Sequence, residues 1–326
     1  MTGGMRAAVI TGPGEAAIAE VAIPTPGAGE LLVALEGCGV CASNIPLWEG
    51  RPWFSYPAPP GSPGHEGWGT VQGVGARVSG IREGDRVTLL SYHAYAEFEK
   101  VPAKAVVKLP DELSGVPFPG ESMGCALNVF KRSDIRSGQR VAVIGTGFLG
   151  LIVTALAARK GAEVTALSRR RSALDLAVGH GAAHAVILDD HQRVLEEGAT
   201  LSGGKGFDRV IEATGHQWPL DLAGELVRER GKVVLAGFHQ DGPRSVNVQL
   251  WNWKGIDVIN AHEREERRYL EGIRAAIEAV QGGAFRPAEL VTHSFPLDEL
   301  SRAYHTLIER PDGFIKGAVR MTRGGK

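Results

Sequence analysis

Two short strings near the start of the chain hold the side chains best able to do chemistry: Cys38-Gly39-Val40-Cys41-Ala42-Ser43-Asn44 and Gly64-His65-Glu66-Gly67. Thiolate and imidazole are good zinc donors. A single C-x-x-C pair does not close a four-ligand structural site, whereas a catalytic site needs only three protein ligands and an open position. Cys41 and His65 therefore stand as candidate ligands, with Glu66 adjoining His65 and the Ser43 hydroxyl close behind Cys41. A cysteine taken singly is commonly a small buried hydrophobe and a histidine a satisfied core residue. Cys38 is expected to be of that kind, and His93 and His262 to be structural or pocket-lining.

A second constellation points to a dinucleotide. Gly145-Thr146-Gly147-Phe148-Leu149-Gly150 follows the apolar run Val141 to Ile144 and opens a helical segment near Phe148. Alone, such a string is weak; within a strand, turn, helix, strand unit it is a strong signal. Gly145 permits the tight turn, Gly147 lets the backbone approach a pyrophosphate, and Gly150 lets the helix pack on the strand. Free amides at the helix start then meet the phosphate charge. An NAD enzyme presents an acidic residue to the ribose about 20 residues further on. Here Ser168 stands in that place, followed by Arg169, Arg170 and Arg171. A carboxylate that would repel a 2′-phosphate is lost and cations that pair with one are gained, so NADP is expected in preference. NAD remains open, accepted through Ser168 with the arginines as a solvated helix start.

The order C-x-x-C-x-S, then G-H-E, then G-x-G-x-x-G after a strand resembles the zinc-containing medium-chain dehydrogenases, over nearly the whole chain. The resemblance implies an α/β protein: a GroES-like irregular β-barrel catalytic domain at 1–130 and 265–326, and a Rossmann domain at 131–264 with a doubly wound parallel sheet of six strands. It implies that Cys41 and His65 bind one catalytic zinc, that Glu66 is a close neighbour or alternating ligand, and that Ser43 passes the alcohol proton away from the metal. The stretch Gly120-Glu121-Ser122-Met123-Gly124-Cys125-Ala126-Leu127-Asn128 is similar to the E-P-L-x-x-A-L-N segment of the polyol and sorbitol dehydrogenase branch, which implies Glu121 as third ligand. Glu121 and Cys125 stand at i and i+4, so a helix sets both on one face and either can reach the metal.

Two departures from the family pattern matter. Asn44 stands where an acidic residue usually supports the liganding histidine; it carries no charge, so weaker metal binding is expected. Relatives mostly insert a four-cysteine loop with a structural zinc, whereas Thr88-Leu89-Leu90-Ser91-Tyr92-His93 runs straight into Ala94-Tyr95-Ala96-Glu97-Phe98, and no structural zinc is expected. The implied activity is hydride exchange between NADP(H) and an alcohol or carbonyl, with the ligand segment favouring a polyol, sugar or cyclitol. Leu47, Trp48, Trp53, Phe54 and Tyr56 are available to wall the pocket, though most such aromatics belong to cores. A zinc-free enone or quinone reductase and a non-catalytic NADP(H)-binding sensor are the competing readings; Cys41, His65, Glu121 and Ser43 speak against them.

The elements that must position these residues divide in two. Up to about residue 110, short β-patterned segments lie between glycines and prolines: Arg6 to Ile10, Leu31 to Leu35, Gly69 to Val74, Arg86 to Leu90 and Ala96 to Val101. From Gly138 the rhythm becomes that of parallel βαβ units, with strands expected at Arg140 to Ile144, Glu163 to Leu167, His184 to Leu188, Asp208 to Ala213, Lys232 to Ala236 and Asp257 to Asn260. Leu270, Ile273, Ile277 and Val280 fall at helical spacing, a helix is expected from Leu297 to Ile308, and Gly313 to Met321 reads as a strand.

A chain of 326 residues exceeds one ordinary core and suits two domains. Its net charge of −1 recruits neither nucleic acid nor anionic lipid. The apolar stretch Phe148 to Ala158 is too short to span a membrane, the N-terminus lacks a secretory pattern, and three cysteines make no disulfide framework, so a cytoplasmic enzyme is expected. A homodimer or homotetramer is expected. Val246 to Trp253, with Trp251 and Trp253, is either a dimer interface or intradomain packing.

Overall fold

The computed structural model describes residues 3–240 and 242–321. Contacts group the chain into two units: Met1–Ser122 with Arg286–Lys326, and Met123–Phe285. Within the second unit, helix Glu266–Gln281 packs on residues 123–133 of helix Gly120–Ser133. A Cβ added to Gly124 would lie 2.9 Å from Ile273, and Asn128 Nδ2 donates to the Arg268 carbonyl at 3.0 Å.

In the first unit, strand Glu30–Val40 is the hub. It pairs antiparallel with Gly67–Val74, with Phe98–Pro102 and with Gly317–Arg320. Arg86–Leu89 and Val106–Lys108 extend the sheet on one side and His293–Pro296 on the other. Leu31, Val33, Val71, Val87, Leu89 and Phe314 fill the core with Tyr95 and Tyr304. Strand Gly4–Gly12 pairs with Glu15–Ala22, a strand that sequence patterning does not announce because alanine and glutamate dominate it. Register is what matters for function. Val40 lies opposite Gly317 and Cys38 opposite Gly67, so the residues just outside these pairs, Cys41, Lys316 and Glu66, are brought to one end of three neighbouring strands.

The second unit holds a parallel sheet of six strands in the order His184–Ile187, Glu163–Ser168, Arg140–Ile144, Phe207–Glu212, Val227–Leu235, Asp257–Asn260. These are the doubly wound topology and the six strands expected. The chain reverses direction of travel across the sheet between Arg140–Ile144 and Phe207–Glu212, the switch point at whose carboxyl side such folds bind ligands. No helix among the described residues is long and apolar enough to cross a membrane.

Candidate metal centre and dinucleotide cradle

Cys41, His65 and Glu66 form a group whose donor atoms all lie within 4.8 Å of one another. The Ser43 hydroxyl donates to the Cys41 sulfur at 3.2 Å and stands 3.5 Å from His65 Nε2. His65 Nδ1 lies 2.9 Å from the Pro63 carbonyl, which can only accept, so that nitrogen carries the hydrogen and Nε2 is the side available to a cation. Asn44 does not reach the histidine as its place in the motif suggests; it donates to the same Pro63 carbonyl at 3.3 Å. The histidine is thus oriented by backbone, and Asn44 acts one step behind it.

The electrostatics of the group call for positive charge. Burial works against protonating His65, but the bond to Cys41 and the charges of Cys41, Glu121 and Glu66 overcome it and push its pKa up to about 10. In chemical terms a proton serves there as the cation. Glu66 is fully buried, and one carboxylate oxygen, Oε1, accepts from Lys316 Nζ at 2.6 Å. Burial opposes its ionisation, but Lys316 and His65 hold its carboxyl below the usual range. Its Oε2 is buried and meets no hydrogen-bond partner among the described residues, and the Cys41 side chain also acts to lower the carboxyl pKa. These donors, with an orphaned carboxylate oxygen among them, fit a divalent ion such as zinc.

Glu121 stands outside the 4.8 Å group, in the first turn of helix Gly120–Ser133, with its charge acting on both His65 and Lys316. Cys125 lies one turn further along that helix, in the second unit, and is half-buried. Cys38 is fully buried, donates to the Gly39 carbonyl at 3.4 Å, and has its thiol pKa pushed up by burial and by Glu66. It is a packing residue. Trp48 stacks on Tyr304 in the core, whereas Trp53 is 63% exposed beside Phe54. Tyr56 donates to the Leu47 carbonyl. Lys316 escaped sequence reading. The only signal was a lysine set in the apolar run Phe314-Ile315-Lys316-Gly317-Ala318-Val319.

In the second unit the three glycines of the turn do different work. Gly145 has φ +100°, and a Cβ there would lie 2.6 Å from Thr214. A Cβ on Gly150 would meet the Gly145 carbonyl oxygen at 2.0 Å, so only glycine lets helix Phe148–Arg159 start this close to the strand. At Gly147 nothing lies within 4 Å of a Cβ, which leaves an open cradle beside the free amides of the helix start. Thr146 is 1% exposed and its hydroxyl is buried without a partner among the described residues. Phe148 and Leu149 begin the helix, Phe148 buried and Leu149 half-buried. An orphaned hydroxyl and open space beside Gly147 at a helix start, at a sheet switch point, fit a dinucleotide pyrophosphate. The next strand ends at Ser168, whose hydroxyl accepts from the Arg170 amide at 3.4 Å; Arg169 is exposed and Arg170 half-buried. Nearby, Glu212 ends its strand fully buried, accepting from the Thr214 and Gly215 amides and from His239 Nε2 at 3.0 Å. Arg244 Nε donates to His239 Nδ1 at 3.1 Å, closing a network that no motif announced. Phe238 stacks on His262, with centroids 5.6 Å apart.

The fold and this pair of sites define a nicotinamide-dependent oxidoreductase class, and the comparisons agree. Residues 27–111 match the alcohol dehydrogenase GroES-like domain and residues 149–278 the zinc-binding dehydrogenase domain. The chain belongs to the zinc-type medium-chain alcohol dehydrogenase family. It is similar to an L-threonine 3-dehydrogenase of Bacillus licheniformis, 25% identical over 94% of this chain and 96% of the relative. It is 29% identical to an erythritol/L-threitol dehydrogenase of Mycolicibacterium smegmatis, over 91% of this chain and 92% of that one. A Sinorhizobium meliloti structure described as a zinc-binding dehydrogenase bound to NADP superposes with TM-score 0.83 and 25% identity, covering 97% of this chain and 99% of the other.

Proposed function

We propose that this chain is a zinc-dependent dehydrogenase exchanging hydride between NADP(H) and an alcohol or carbonyl, its substrate a polyol, sugar or cyclitol. The observation that carries the reading is the convergence of Cys41, His65 and Glu66 within 4.8 Å, with the Ser43 hydroxyl 3.2 Å from the cysteine sulfur. Cys41, His65 and Glu121 would hold the ion, with Glu66 beside them and Cys125 as the alternative to Glu121. When bound, zinc supplies a Lewis acid that polarises the substrate oxygen. The nicotinamide supplies the hydride acceptor. The protein does the rest. Ser43 Oγ takes the hydroxyl proton and passes its own outward, while the Pro63 carbonyl keeps the His65 ring in one orientation. Gly145, Thr146, Gly147, Phe148, Leu149 and Gly150 cradle the pyrophosphate, and Ser168, Arg169 and Arg170 receive the 2′-phosphate, with NAD as the weaker alternative. The same reading has one ion per chain and no structural zinc, supported by a sequence whose three cysteines are too few for a four-cysteine lobe.

The finer assignments belong to the same proposal: domain borders at 130/131 and 264/265, a cytoplasmic location, and a homodimer or homotetramer. Trp251 packs inward, its Nε1 set 2.4 Å from where a Gly224 Cβ would be, while Trp253 is 84% exposed. Trp253 precedes, in sequence, strand Asp257–Asn260, the last in its sheet, whose Val258 is 38% exposed; the exposed edge of this strand is the self-association surface we favour. A panel of polyols, sugars and simple alcohols assayed with NADP and NAD side by side tests the whole reading. Turnover of a polyol with NADP is expected; turnover confined to enones or quinones, without metal, would overturn it.

A further inference from the structure

The Lys316 and Glu66 side chains, 7% and 0% exposed, make an ion pair with Nζ and Oε1 at 2.6 Å. A pair buried this deeply is weak as a device for stability, since desolvating two charges cancels much of their attraction. Its position suggests another task. The Lys316 backbone is held in place: the Thr292 hydroxyl accepts from the Ile315 and Lys316 amides at 2.9 and 3.4 Å, and the next residue, Gly317, is in register with Val40. The carboxylate is held as well. A Cβ on Gly39 would come 1.9 Å from Glu66 Oε2, so the group lies against bare backbone, room that exists only because residue 39 is glycine.

Glu66 therefore divides its two oxygens. Oε1 belongs to the ammonium, and Oε2 is buried without a hydrogen-bond partner among the described residues, in a carboxylate grouped within 4.8 Å with the Cys41 and His65 donor atoms. Charge balance points the same way. Cys41, Glu66 and Glu121 as anions, with a divalent ion and one ammonium, make a neutral set; without the ammonium, a buried negative charge would be left over.

We propose that Lys316 is a positioning residue that withholds Glu66 from the metal, so that the donor set stays at Cys41, His65 and a third ligand, and one position stays open for substrate. This rests on the zinc reading above. Without Lys316, the Glu66 carboxylate would lose the ammonium that holds its Oε1 and would be free to join the donor set. Tethering trades metal affinity for an open coordination position.

The test is zinc affinity by competition with a chromogenic chelator, on full-length protein, for wild type, Lys316→Met, Glu66→Gln and the double variant. Lys316→Met is expected to bind zinc more tightly, on the order of tenfold, while kcat falls. The double variant returns to wild-type affinity, and Glu66→Gln alone stays within about threefold of it. A residue that only supports the fold would give the opposite pattern for Lys316→Met, a lower melting temperature with unchanged or weaker zinc binding, and that result overturns the proposal. Should Lys316→Met not fold, Glu66→Gln still decides: a loss of zinc affinity on the order of tenfold or more would make Glu66 a ligand and refute the tether. Wild type that binds no zinc would refute the metal reading itself, a result distinct from either.

Discussion

His65 Nδ1 lies 2.9 Å from the Pro63 carbonyl oxygen, and Asn44 Nδ2 donates to that same oxygen at 3.3 Å. A single backbone carbonyl thus orients the imidazole, and the absent acidic side chain at position 44 is not needed to fix the ring. Asn44→Ala removes one donor of two and is expected to cost about 1 kcal/mol of stability. Zinc affinity, read by chelator competition, should fall less than about tenfold. A loss near a hundredfold would mean that Asn44 acts on the histidine itself.

The glycine turn yields a contrast between two neighbours. Gly150→Ala sets a methyl 2.0 Å from the Gly145 carbonyl oxygen and should destabilise the protein by about 1–3 kcal/mol. Gly147→Ala meets no atom within 4 Å and should melt as wild type does, yet lose nucleotide affinity because its methyl fills the cradle. Melting curves with and without NADPH check both. Unimpaired NADPH binding by Gly147→Ala would remove the pyrophosphate from this turn.

Arg169 and Arg170 follow the strand end at Ser168. Their joint replacement by alanine should raise KM for NADP by about 10- to 100-fold, the worth of one or two charged hydrogen bonds. KM for NAD should change little. Equal losses for both cofactors would return these arginines to a solvated helix start.

Glu99 gives a pH signature. It is 6% exposed, accepts from the Ser91 hydroxyl at 2.7 Å, and lies 3.9 Å from His93 Nδ1. Burial raises its pKa from 4.5 to about 7, against the opposing bonds from Ser91 and the His93 backbone. A carboxyl whose folded pKa is raised supports the fold fully below pH 4.5 and loses that support as pH climbs through 7. Glu99→Gln should therefore be more stable than wild type above pH 7, by at most about 3 kcal/mol, with the gain vanishing toward pH 4.5. Urea unfolding at several pH values checks this, and a gain independent of pH would contradict it.

Much of this was readable in the sequence. Cys41, His65 and the glycine turn announce themselves because each cluster is local and its residue types are rarely grouped by chance. The six parallel strands were readable as apolar runs between glycine turns. Other features depend on distant register. Lys316 meets Glu66 across 250 positions, a pairing set by where three strands happen to end. Glu15–Ala22 lacks apolar alternation, and Glu212 depends on His239 and Arg244 from a loop that follows the next strand. Residue type marks a donor; only the fold shows which partner it keeps.

The most direct test counts zinc per chain in wild type and Cys41→Ala while NADPH-dependent turnover and NADPH binding are measured on the same samples. One zinc in wild type is predicted, with zinc and turnover lost together in the variant and NADPH binding kept. Full turnover by a variant that carries no zinc would contradict the account.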